Sequence, residues 1–209
     1  MTAIPEVDQR VVHVRSALPE DSRAVHAIVD AAAATGAVLP RAIEDIDLWI
    51  ESFVVGLVDG EALGCAALMT VEGPCIGEIR SVAVSDRARG TGLGREIVQY
   101  LVEEAHSLGL ERLFLLTRVP AFFEKCGFRV IQPEELPDSF LSDLVRVQKR
   151  SLFNRFVMTR DIAILQGFAD SSTVDGLRRD AGAAPPGART SAPLQRVCQR
   201  YRLPSAVTA

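Results

Sequence analysis

Between Arg10 and Ile131 the chain switches repeatedly between two hydrophobic periods. "RVVHVRSA" (10–17) has the short, β-rich pattern of a strand. "LPEDSRAVHAIVDAAAA" then sets Leu18, Val25, Ile28 and Val29 on one side of a 3.6-residue period, with Pro19 near the start and Gly36 past the end, as a helix is punctuated. "PRAIEDIDLWIESF" reads as a second helix. Two β-rich runs in "FVVGLVDGEALGCAALMT" flank Asp59-Gly60, a hairpin turn signal. "IGEIRSVAV" (76–84) is a further strand. From Leu93 to Leu108, Leu93, Ile97, Leu101, Ala105 and Leu108 share one face with Val98 and Val102 beside it, and Gly109 ends the helix. "LERLFLLT" reads as a buried strand, "VPAFFEKCG" as a short helix closed by Gly127, and "FRVI" as a strand. The order β-α-α-β-β-β-α-β-α-β predicts an α/β domain, a mixed sheet with flanking helices.

Composition narrows the setting. With 209 residues, 48% hydrophobic and 24% charged, the chain can form one substantial core. A net charge of −4 gives no general attraction to nucleic acid or anionic membrane. Cys65, Cys75, Cys126 and Cys198 form no CxxC pair or Cys/His cluster, so neither a metal site nor a disulfide framework is expected. "MTAIPEVDQR" has no apolar signal-peptide region, and no apolar run reaches spanning length. The expectation is a cytoplasmic protein. Its parts are an arm over 1–9, the domain over 10–160, and a mobile Ala/Gly/Pro/Arg-rich tail over 161–209.

Candidate chemistry centres on "RARGTGLG". Glycines let successive backbone N–H groups face one point, and the helix that follows brings its N-terminal amides and positive dipole end to the same place. Such a turn suits a phosphate or pyrophosphate, with Arg87, Arg89 and Arg95 adding charge at its edge. A flexible solvent loop is the plain alternative. A dinucleotide-binding turn fails on placement, and a P-loop fails because no Lys-Ser or Lys-Thr follows the last glycine.

R-x-x-G-x-G after a strand and before a long helix, met by Arg89, Gly92 and Gly94, resembles the acetyl-CoA signature of the GNAT acetyltransferase superfamily, and the element order resembles that fold over about residues 10–131. "GEIRSVAV", "LFLLT", "PAFFEKCGF" and "PEELP", with "LPRAIEDI" on the substrate side, resemble the short bacterial N-acetylglutamate synthases of arginine biosynthesis. The chain is too short to add an amino-acid-kinase-like domain, and "SFLSDLVRVQKRSLFNRFVMT" departs from the pattern. The resemblance implies an acetyl-CoA-dependent amino-acid N-acetyltransferase. The backbone of Val82, Ala83 and Val84 would lie along the pantetheine arm, and the amides of Arg89, Gly90, Thr91, Gly92, Leu93, Gly94 and Arg95 would hold the pyrophosphate. The expected partner is a small amino-acid substrate, with no nucleic acid, membrane or metal; a homodimer is left open.

Transfer of acetyl to an amine needs the amine neutral, the thioester carbonyl polarised and the thiolate stabilised. Glu78, on the cofactor strand, is the candidate base; a structural glutamate is the alternative. Phe123 stands where many GNAT enzymes have a tyrosine acid and cannot donate a proton, so water, another side chain or no acid at all serves the thiolate. Cys126 is read as a buried small hydrophobe. Arg41, Arg80 and Arg118 are the candidates for pairing the two carboxylates of glutamate, by planar bidentate contacts. The two-residue strand period puts Arg80 on the same face as Glu78 and Val82. Two other functions remain: acetylation of a different amine, such as a polyamine or a protein N-terminus, and a non-catalytic acyl-CoA-binding module.

Overall fold

The computed structural model describes residues 10–70, 75–136 and 154–162. The expected arm over 1–9, the divergent stretch over 139–159 as far as residue 153, and the expected tail over 161–209 from residue 163 lie outside the described residues. All ten elements expected from the sequence are present: β1 (Val12–Ser16), α1 (Ser22–Ala34), α2 (Ile43–Leu48), β2 (Phe53–Val58), β3 (Glu61–Thr70), β4 (Ile76–Val84), α3 (Leu93–Ser107), β5 (Arg112–Thr117), α4 (Pro120–Glu124) and β6 (Arg129–Ile131). An eleventh, β7 (Phe156–Asp161), was not expected.

The strands form one sheet in the order β1-β2-β3-β4-β5-β7-β6. Every neighbouring pair is antiparallel except β4 and β5. Strand alternation divides the core between the two faces. Val54, Ala66, Leu68 and Ile79 point toward α3, where Leu93, Ile97, Leu101 and Ala105 close the cluster, joined by Phe123 and Phe128. Val55, Cys65, Ala67 and Ala83 point the other way, against Val25 and Val29 of α1 and Ile46 of α2. Gly36, at φ +74, turns the chain out of α1, and Gly109, at φ +70, does so after α3.

Two irregularities open the sheet at its centre. β4 and β5 pair only where Ile76, Gly77 and Glu78 meet Arg112, Leu113 and Phe114; beyond Glu78 the strands part. β5 instead takes β7 as its partner along its whole length. β4 also carries a bulge. Ala67 faces Arg80 and Cys65 faces Ala83, so Ala66 stands alone opposite Ser81 and Val82, with Ser81 at φ +52.

Candidate active site

The glycine-rich turn sits where the sequence puts it. Gly90 and Gly92 have φ of +80 and +87, and no heavy atom lies within 4 Å of a Cβ built on either, so open space adjoins the turn. Gly92 is the N-cap of α3 and its carbonyl accepts from Arg95 and Glu96 N–H. Within the turn, the N–H groups of Arg89, Thr91, Leu93 and Arg95 already donate to Asp86 O, Ala88 O, Thr91 Oγ1 and Gly92 O, so it is the glycine amides, together with the positive dipole end of α3, that face an anion. Gly94 has a different reason to be glycine: a Cβ there would lie 3.3 Å from Phe122. The arginines around the turn diverge. Arg89 pairs with Asp86 at 2.7 Å, Arg87 pairs with Glu61, and Arg95 turns toward α4.

A trough of about 550 Å³ runs beside the turn. Its walls are Ala24, Ala27, Ile28 and Ala31 of α1 and Val82 to Asp86 with Arg89. The run of alanines on α1 is what leaves this space. A smaller cavity of about 110 Å³ shares Ala37 and Val82 with the trough and lies where β4 and β5 part. Arg41, Arg80 and Arg118, from three separate elements of the sequence, all line it, and Arg155 from the residue before β7 joins them. Among the described residues, no carboxylate is in its wall.

Each arginine is held in a different way. Arg41 donates through Nε to Ser81 Oγ at 2.8 Å, tying the loop before α2 to the bulge in β4. Arg118 donates through Nη1 to the Gly36 carbonyl at 3.2 Å, at the end of α1. Arg80 donates through Nε to Glu78 Oε2, and its Nη2 lies within ion-pair reach of the same oxygen without the angle for a second hydrogen bond. A guanidinium carries five N–H donors in a planar fork, the geometry that suits a carboxylate.

Glu78 is fully buried, behind Arg80 rather than in the cavity wall. The expected common face for Glu78, Arg80 and Val82 holds for the first two only. The extra residue at Ser81 reverses the alternation: Ala83 packs with Ala67 and Cys65, while Val82 packs against the cluster of Ile79 and Leu68 on the other face. Phe123 does line the cavity, edge-on to Phe122 at 4.9 Å between centroids. The hydroxyls in the wall are those of Ser81 and Thr117. Burial pushes the Cys65 thiol up to about 12 and raises that of Cys126, so neither is an ionised thiolate. Arg155 and the bulge were missed from sequence; only the strand-like "FVMT" beside Arg155 pointed to either. Among the described residues, no His, Cys, Asp and Glu group could hold a metal, and no helix is long and apolar enough to cross a membrane.

Residues 24–128 match the acetyltransferase (GNAT) family. An uncharacterised N-acetyltransferase of Chlorobaculum tepidum is 30% identical over 151 residues, covering 71% of this chain and 96% of that protein. The amino-acid acetyltransferase of Neisseria meningitidis is 32% identical over 133 residues, covering 63% of this chain but only 30% of that longer protein. Among solved structures, N-acetylglutamate synthase of Neisseria gonorrhoeae, complexed with coenzyme A and N-acetyl-glutamate, superposes with a TM-score of 0.66 at 29% identity, over 73% of this chain and 35% of that one. Rv2747 of Mycobacterium tuberculosis, also holding CoA, gives 0.62 at 28% identity over 72% of this chain and 99% of that one. A helix-capping glycine turn, strands that part beside it and relatives crystallised with coenzyme A agree on one chemistry, acetyl-CoA-dependent N-acetylation, and the chain belongs to the GNAT acetyltransferase family.

Proposed function

We propose that this N-acetyltransferase acetylates the α-amino group of L-glutamate, giving N-acetylglutamate for arginine biosynthesis in the cytoplasm. The observation that carries the proposal is the cavity in which Arg41, Arg80, Arg118 and Arg155 converge, with no carboxylate in the wall among the described residues. Four guanidiniums around a small hollow suit a substrate with two carboxylates and disfavour a polyamine, whose own charge would be repelled. The names of the Neisseria relatives support the same reading.

The coenzyme's pyrophosphate lies on the turn from Arg89 to Arg95, against the amides of Gly90, Gly92 and Gly94, and its pantetheine arm runs along Val82, Ala83 and Val84 in the trough. The thioester then enters the gap between β4 and β5. There the bulge at Ser81 has broken the regular ladder, which frees backbone donors to polarise the carbonyl. The substrate's carboxylates bind in the arginine cavity and bring its amine to the thioester. As a carboxylate of the substrate engages Arg80, the guanidinium shares its donors between substrate and Glu78. Glu78 then takes the ammonium proton through water, since it has no surface on the cavity itself. The neutral nitrogen attacks the carbonyl carbon, the C–S bond breaks, and the second proton shed by the nitrogen passes through water to the departing thiolate, whose charge the wall hydroxyls help to stabilise, because Phe123 offers no proton.

The test is release of free CoA with a panel of amines: glutamate, glutamine, aspartate, spermidine and a peptide N-terminus. Glutamate is expected to be turned over best. Good turnover of spermidine or the peptide, with none of glutamate, would reject the assignment while leaving the reaction class in place.

A further inference from the structure

We infer that a second cavity, between α3 and α4, binds the phosphomonoester on the 3′ carbon of the coenzyme's ribose, and that the enzyme thereby distinguishes CoA from its 3′-dephospho form. The inference rests on acetyl-CoA as the acetyl donor and not on glutamate as the acceptor. The cavity, about 230 Å³, is walled by Arg95, Gln99, Lys125, Cys126, Gly127 and Arg160. Three of those six side chains are cationic, none is acidic, and they come from three different elements.

The positive charge is uncompensated. Arg160 donates through Nη1 to the carbonyl of Cys126 at 2.6 Å, and its guanidinium lies against Gly127, 3.5 Å from where a Cβ would stand. The group is fixed in place by a neutral carbonyl and not by a carboxylate. Among the described residues, neither Arg95 nor Lys125 has an ion-pair partner. Like charges gathered in one hollow repel each other, and a phosphomonoester, with a charge of about −1.5 to −2 at neutral pH, removes that repulsion.

Position ties the cavity to the coenzyme. Arg95 is the third residue of α3, directly after the glycine turn, and Gln99 lies one turn further along the same face. At about 1.5 Å of rise per residue, Gln99 is about 7.5 Å along the axis from Gly94. Phe122 packs against Gly94, which brings the end of α4, with Lys125, beside the turn. In the coenzyme, the pyrophosphate and the 3′-phosphate hang from one ribose, so a ligand whose pyrophosphate caps α3 carries its second phosphate only a short way along the helix.

The experiment is calorimetric titration of the full chain with CoA and with 3′-dephospho-CoA, using wild type, Lys125→Gln and Arg160→Gln. Lys125 is exposed, so its variant should fold normally. Loss of one or two charge-assisted hydrogen bonds predicts that wild type binds CoA about tenfold or more tighter than the dephospho form. Each variant should lose most of that preference while its affinity for dephospho-CoA stays the same, and inorganic phosphate should compete with CoA but not with dephospho-CoA. Equal binding of the two forms by wild type would overturn the inference. So would variants that keep the preference, or variants that weaken both forms together, as a structural role would. Inorganic phosphate that blocks both forms alike would mark a free-anion site unrelated to the ribose and overturn it too. Failure to bind either form would overturn it together with the coenzyme turn, whereas poor turnover of glutamate would leave this result untouched.

Discussion

Arg80 keeps its charge at 7% exposure because Glu78, fully buried, lies against it. Removing one member of a buried pair strands the other, which typically costs about 3–5 kcal/mol. Glu78→Gln is therefore expected to lose stability by roughly that amount as well as about a hundredfold in turnover, the second effect being the base's. The pH dependence of CoA release separates the two: the turnover lost through the base should recover as pH rises and more of the amine is already neutral, whereas a loss that follows from instability should not. A deficit that stays the same across pH would make Glu78 a structural residue. Asp21 gives a prediction in pH. Its carboxyl is held below the usual aspartate range, first by the hydrogen bond from Arg15 and then by the Leu18 N–H at 2.7 Å, against the opposing effect of burial. The folded form thus keeps the carboxylate to lower pH than the unfolded chain. The contribution is complete above the unfolded value and fades as pH falls through the folded one. With Arg15 a third exposed, Asp21→Asn should cost about 1 kcal/mol at neutral pH, and the gap should close only in strong acid. A pH-independent difference in melting would contradict this. At this scale the sequence showed which arginines and which acid to examine, because strand periodicity puts positions 78 and 80 together. It did not show the bulge. Ser81 takes a left-handed conformation without being Gly or Asn, so no local residue type marks it.

The position of α3 depends on residues that touch no ligand. A Cβ on Gly56 would lie 2.6 Å from Leu93 Cδ1, and one on Gly64 would lie 2.7 Å from Ile97 Cδ1. These two glycines, on adjacent strands, let the first turn of the helix rest directly on the sheet, and that turn is the one proposed to hold the coenzyme's pyrophosphate. Gly64→Val should cost about 1–3 kcal/mol through overpacking. It should also weaken acetyl-CoA binding by tilting α3, with thermal melting and calorimetric titration as the readouts. Lost stability with unchanged affinity would show that the turn is placed independently of the helix seat. The elements themselves were legible wherever a period and its punctuation coincided, as in α3 between Gly92 and Gly109. β7 was not, because it enters the sheet between β5 and β6 by long-range pairing, with no hairpin turn joining it to either. The chain before it, over 137–153, gave no periodic lead. Arg155, the residue just before it, was missed with it.

For the whole molecule, the net charge of −4 conceals its distribution. Two cationic hollows lie on either side of one glycine turn, one where β4 and β5 part and one between α3 and α4. The bulk charge could not reveal hollows that form only when distant arginines meet. Arg41, Arg118 and Arg155 are far apart in sequence and become neighbours because the sheet splits at Glu78. The central claim, that this cavity reads the carboxylates of an acidic amino acid, is tested most directly by steady-state kinetics. Glutamate and glutamine are compared as acceptors for wild type, Arg118→Ala and Arg155→Ala at saturating acetyl-CoA. Losing a charge-assisted pair is worth about 2–5 kcal/mol, so the Michaelis constant for glutamate should rise by well over tenfold in at least one variant, while that for acetyl-CoA moves little. The arginine that holds the side-chain carboxylate should lose its preference for glutamate over glutamine when truncated, and one that holds the α-carboxylate should weaken both substrates together. Unchanged kinetics for both amino acids in both variants would contradict the account.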